Sequence, residues 1–324
     1  MPQGDMPLEE LKRYAGKSPR PADYDVYWAR ALSVLAEQSL AYTLEPAELS
    51  VPGVSCYHLW FTGVGGARVH AKFLKPEGKT KKTPAMLLFH GYEGSSKDWF
   101  DKLPFAQSGI AVAALDVRGQ GGLSEDSGVY VGSTFQGHIV RGVDDPDPDK
   151  LFFRNVYLDT VQLARIVSGL ESVDETHLYT VGFSQGGALA LVCSALSGCV
   201  RRTVAGYPFL CDFKRVLELD YQSRAYDELK LYFRLRDPQH KTEARFFERL
   251  GYIDVQWMAQ KIASPVRMYT GLCDTICPPS AQFSAYNKIK APKELVVYPD
   301  FTHEDLPYAW QEILLLLLAD ANTR

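Results

Sequence analysis

Apolar positions along this chain repeat with periods that change in blocks. Residues 8–14 and 24–38 carry apolar side chains at helical spacing, with Tyr24, Trp28, Leu32 and Leu35 on one face and Pro19 and Pro21 between the blocks. Residues 55–62 and 68–74 alternate with period two around Gly63-Val64-Gly65-Gly66, which predicts a β-hairpin. Lys79 to Lys82 reads as a solvated loop, while residues 85–89 and 110–117 are continuous apolar runs, the pattern of strands covered on both faces. Helical stretches at 151–170, 185–196 and 305–319 then alternate with strand patterns at 178–182, 203–206, 265–270 and 294–298. That alternation predicts one α/β domain with a mostly parallel twisted sheet and helices on both faces. Residues 1–84 form a helix and hairpin extension of it, and residues 212–260 interrupt it with charge-rich amphipathic helices, a helical cap near the site.

Composition narrows the classes. A net charge of −4 gives no reason to expect nucleic acid or an anionic membrane as partner. Cys56, Cys193, Cys199, Cys211, Cys273 and Cys277 match no zinc spacing and read as free thiols, which with the lack of an apolar run after the N-terminal charges predicts a cytoplasmic protein. The greasiest run, Ile313 to Leu318, is too short to cross a bilayer and reads as a buried helix or a subunit contact. Asp144-Asp145-Pro146-Asp147-Pro148-Asp149 has Lys150 where a calcium loop needs glycine, so it reads as a solvated loop.

The candidate chemistry sits at strand ends. Gly182-Phe183-Ser184-Gln185-Gly186 joins an apolar strand to a small-residue helix, the context of a nucleophile elbow. Asp274 follows one later strand and His303 the next, which gives the chain order Ser, Asp, His of α/β-hydrolases. His303 would take the proton of Ser184 and Asp274 would fix the imidazole. The amides of Gln185 and of Tyr92, in the loop Phe89-His90-Gly91-Tyr92, would hold an oxyanion. Tyr92, Tyr207, Pro208, Phe209, Ile276 and Cys277 are expected to wall a small acyl pocket, with Cys277 near the site but no nucleophile, and Glu304 to complement the dipole of the closing helix. These residues alone point to an ester or amide hydrolase.

His90-Gly91-Tyr92, Asp116-Val117-Arg118-Gly119-Gln120-Gly121-Gly122, Gly182 to Gly187, the Asp274 to Pro279 loop and His303-Glu304 together resemble the acetyl xylan esterase / cephalosporin C deacetylase family, carbohydrate esterase family 7. The resemblance runs over nearly the whole chain. It implies a metal-free, cofactor-independent serine esterase that deacetylates short acetylated xylo-oligosaccharides and cephalosporins, working as a cytoplasmic homohexamer, a trimer of dimers. Trp28, Trp60 and Phe61 add an expectation of aromatic faces that need a partner. The alternatives are a general short-chain carboxylesterase, a peptidase of the prolyl-oligopeptidase type, or a non-enzymatic binding protein on the same scaffold.

Overall fold

A computed structural model describes residues 4–132, 135–221 and 224–323 of the chain. Among the described residues nine strands form one sheet: β1 (Tyr42–Pro46), β2 (Val54–Thr62), β3 (Arg68–Pro76), β4 (Thr83–Phe89), β5 (Ala111–Leu115), β6 (Val173–Phe183), β7 (Arg202–Gly206), β8 (Val266–Gly271) and β9 (Lys293–Tyr298). Their spatial order is β1-β2-β3-β5-β4-β6-β7-β8-β9. The hairpin arm β1-β2-β3 is antiparallel, as is the β3–β5 pair, and every pair from β5 to β9 is parallel. β5 is buried at all five positions, as its unbroken apolar run requires of a strand covered on both faces.

The helices are α1 (Leu8–Leu11), α2 (Tyr24–Ala36), α3 (Leu103–Gln107), α4 (Phe152–Ser168), α5 (Gln185–Ser197), α6 (Phe213–Leu219), α7 (Asp227–Arg236), α8 (Glu243–Gly251), α9 (Val255–Met258), α10 (Pro279–Tyr286) and α11 (Ala309–Ala321). One apolar core joins the sheet to α2 and α4 through α10, and a smaller one joins its other face to α3 and α11. The Ile313–Leu318 run therefore lies half in the smaller core: Ile313 and Leu317 are buried and Leu315 is exposed. No helix among the described residues is long and apolar enough to cross a membrane.

Three expectations need correction. Trp28 and Phe61 are buried, and the Trp60 indole is covered by the Arg68 guanidinium at 3.6 Å, so these aromatics are used within the chain and give no exposed face. The closing helix begins at Ala309 rather than 305, after a left-handed turn at Tyr308 (φ 66°). The Glu304 carboxylate consequently sits outside that helix and accepts from the Thr302 N–H (2.9 Å) and hydroxyl (2.8 Å). The acidic run at 144–149 is spent locally: Asp145 and Asp147 accept the amides two residues on, and Tyr232 donates to Asp144.

Candidate active site

Ser184 occupies the one residue between β6 and α5, at φ 59° and ψ −123°, a left-handed backbone that a non-glycine residue holds only under constraint. Its N–H donates to Gly206 O (2.9 Å), and its carbonyl accepts from Ala188 and Phe209 (both 3.0 Å). A Cβ on Gly182 would sit inside the Gly186 backbone, and one on Gly186 would meet the Phe89 carbonyl, so this turn tolerates side chains at neither position.

The two chain segments after β8 and β9 bring Asp274 and His303 to this serine. His303 Nδ1 lies 2.8 Å from Asp274 Oδ2 and Nε2 lies 3.0 Å from Ser184 Oγ. A carboxylate beside Nδ1 requires the proton there, which leaves the Nε2 lone pair facing the serine hydroxyl. Asp274 is itself fixed: Oδ1 accepts the amides of Ile276 and Cys277 (both 2.8 Å), and Oδ2 also accepts from the Gln282 side chain (3.3 Å). The Tyr207 ring lies 4.5 Å from the imidazole, and its hydroxyl donates to Glu304 O (3.1 Å).

On the other side of Ser184, the loop after β4 is pinned by His90. Its Nε2 accepts the Val117 N–H (2.9 Å), so Nδ1 must carry the hydrogen that meets Gly91 O (2.7 Å), and burial pushes its pKa down, keeping it neutral. Tyr92 donates its hydroxyl to Glu228 Oε1 of α7 (2.7 Å) and accepts the His138 N–H (2.6 Å). Gln185 opens α5, where the first amides have no acceptor within the helix, and its side chain is locked in a reciprocal amide pair with Gln120 (2.8 and 3.0 Å). The Asp116-to-Gly122 segment is held behind that pair: Asp116 accepts from the amides of Ser96 and Leu123 and from His70, and Arg118 forks onto Asp159.

A cavity of about 600 Å³ opens beside Ser184 and His303, walled by Phe105, Phe183, Tyr207, Trp310 and Leu314. Of the six residues expected to wall the acyl pocket, only Tyr207 lines this cavity. Pro208, Phe209 and Cys277 are buried, and Tyr92 and Ile276 are half-buried. The Cys277 thiol is buried beside the Asp274 loop, and burial raises its pKa well above the usual thiol range. The 212–260 segment meets the site through Glu228 but leaves the cavity to α3 and α11. Gln282, Glu228 and Trp310 were missed in the sequence. Gln282 stands on an unrecognised helix, Glu228 has its partners far away in the chain, and only the aromatic character of Trp310, just after the His303 loop, offered a signal. Among the described residues no group of three or more His, Cys, Asp or Glu is placed to hold a metal ion.

Comparison with known proteins fits this geometry. The acetyl xylan esterase (AXE1) family model matches residues 1–318. The fold superposes on acetyl xylan esterase 1 from Thermoanaerobacterium sp. JW/SL YS485 with a TM-score of 0.95 and 46% identity, covering 98% of this chain and 100% of that one. An acetyl xylan esterase from Paenibacillus sp. R4 gives 0.92 and 32% over 97% and 99%. The acetyl esterase Axe7A of Xylanibacter ruminicola is 25% identical over 91% of this chain, which spans 65% of that relative's length. The fold is that of the α/β-hydrolases. With residues 1–318 matched by that model, the chain belongs to the acetyl xylan esterase family of carboxylic ester hydrolases.

Proposed function

We propose that this protein is a serine esterase that removes O-acetyl groups from small acetylated carbohydrates through an acyl-enzyme. The observation that carries the reading is the hydrogen-bonded row Ser184–His303–Asp274 at the elbow, in a chain of this family. Ser184 Oγ attacks the acetyl carbonyl carbon while His303 Nε2 takes its proton, and the resulting oxyanion turns to the amides of Tyr92 and Gln185. Collapse breaks the bond to the sugar oxygen, which leaves with the proton from His303. Water, deprotonated by the same nitrogen, then attacks the acetyl-serine and releases acetate. Every step uses groups of the chain and water. Asp274 holds the imidazole tautomer and stabilises its cation.

Acetylated xylo-oligosaccharides are the proposed substrates, with cephalosporin C as a further one that shares the acetyl ester. A cytoplasmic site belongs to the proposal, supported by free thiols at Cys56, Cys193, Cys199, Cys211 and Cys277. A homohexamer belongs to it as well, resting on the family resemblance.

The acyl side is proposed to be short. Cys277 and Phe209 are buried, with the Phe209 ring 5.0 Å from Tyr92, so a longer chain entering there must displace packed atoms. Overpacking such a wall costs about 1–3 kcal/mol, or roughly a ten- to hundredfold loss in kcat/KM. Steady-state rates on p-nitrophenyl esters test this together with acetylated xylo-oligosaccharides and acylated peptides. The expected result is acetate over butyrate by at least that factor, with deacetylation of the oligosaccharides. Equal rates on acetate and octanoate would place the protein with the general carboxylesterases, and faster peptide cleavage with the peptidases.

A further inference from the structure

The cleft beside Ser184 has an aromatic wall that the acyl-transfer steps leave unused. Trp310 lies in the first turn of α11, is 43% exposed, and has its ring 5.0 Å from Phe183 and 6.3 Å from Phe105. Phe183 is in turn 5.3 Å from Tyr207, whose ring is 4.5 Å from His303. A continuous row of rings thus runs outward from the base, with Leu314 on the same cavity wall one turn further along α11.

Cys277 and Phe209 are buried and line no part of the cavity of about 600 Å³, which His303 itself borders. The departing oxygen has to collect its proton from His303 Nε2, and this places the alcohol in the cavity that His303 borders.

We infer that this row of rings is the leaving-alcohol subsite, with Trp310 as its platform, and that it selects acetates whose alcohol presents a flat apolar face. The C–H face of a pyranose and an aryl ring share that chemistry. Either covers the indole and removes apolar area from water in proportion to the contact, whereas a small alkyl alcohol leaves the indole wet. The inference rests on the esterase reading and adds to it what the cavity recognises. Trp310 acts here as a specificity-determining residue.

The test compares ethyl acetate, 2-naphthyl acetate and an acetylated methyl xyloside on the full chain and on Trp310→Ala, Trp310→Phe and Leu314→Trp. In Trp310→Ala the kcat/KM ratio of the naphthyl and xyloside acetates to ethyl acetate should fall about tenfold, since loss of a stacked ring face costs on this order. The change should be carried by KM, because the acetyl-enzyme has already released the alcohol. Trp310→Phe should regain part of the ratio. Leu314→Trp, which fills the cleft without removing the platform, should lower it again. The acetate-to-butyrate ratio on naphthyl esters should keep its value in all three. An active wild type whose alcohol ratios are unmoved in every variant would overturn the subsite alone. A shift in the acyl-length ratio instead would give the cleft to the acyl chain and overturn it too. A wild type inactive on every acetate would overturn the esterase reading and the subsite with it.

Discussion

Asp274 shows how much of the site is carried by single residues. Its four acceptor contacts come from two amides of its own loop, from Gln282 and from His303, so the carboxylate is oriented before any substrate arrives. Asp274→Asn should lower kcat by about 10⁴-fold with the fold intact, since the amide favours the wrong imidazole tautomer. Cys277 is the contrasting neighbour. Burial keeps its thiol protonated, so Cys277→Ser should hold kcat/KM for p-nitrophenyl acetate within about threefold. Loss of all activity in a folded Cys277→Ser protein would count against the roles assigned here. Ser184, Asp274 and His303 were legible in the sequence because each stands at the end of a recognisable strand, in a local pattern of glycines and turns. The tie from the Tyr92 hydroxyl to Glu228 was not legible, because that partner is 136 positions away in the chain.

At the scale of elements, α7 acts on the site through one carboxylate. Glu228 is buried and accepts from the Tyr92 hydroxyl and from the His138 and Val140 amides, tying the loop after β4 to the 138–140 segment. Burial raises its pKa against those bonds. Glu228→Gln turns an NH₂ toward an amide donor, and the resulting shift of the Tyr92 backbone should lower kcat by roughly ten- to a hundredfold, with far-UV circular dichroism unchanged. An unchanged kcat would show that the loop holds its place without α7. The parallel strands and α4 and α5 could be read from periodicity because each buries a continuous or one-faced pattern. β1 escaped because Tyr42–Pro46 is a mostly exposed edge strand with no buried face to register. α10 escaped because Pro278-Pro279 reads as loop, although proline fits the first turn of a helix.

Taken as a whole molecule, the N-terminal segment is built into the fold rather than laid over it. The backbone of Lys17 and Ser18 and the Tyr14 hydroxyl all donate to Asp212, and the Asp212 amide donates to Asp254. Burial first, and the Asp212 charge second, raise Asp254 from the ordinary 3.8 to about 7. The folded state therefore holds a proton that the unfolded chain has lost, and the stability this group contributes is full below the ordinary value and lost as pH rises through about 7. Asp254→Asn, which keeps the Oδ1 acceptor, should remove that slope: the urea midpoint of the wild type relative to the variant should fall between about pH 5 and pH 7. A constant difference would mean that Asp254 does not titrate there. The proposed hexamer is checked by light scattering at micromolar concentration, where a monomer would reject it. The central claim, hydrolysis through an acetyl-Ser184 intermediate, is tested most directly by intact-protein mass spectrometry on enzyme quenched during turnover of p-nitrophenyl acetate. The account predicts one added acetyl group, mapped to Ser184 and absent from Ser184→Ala, whose kcat should be lower by about 10⁴-fold. A Ser184→Ala protein that keeps a tenth of wild-type activity, free of contaminating esterase, would contradict it.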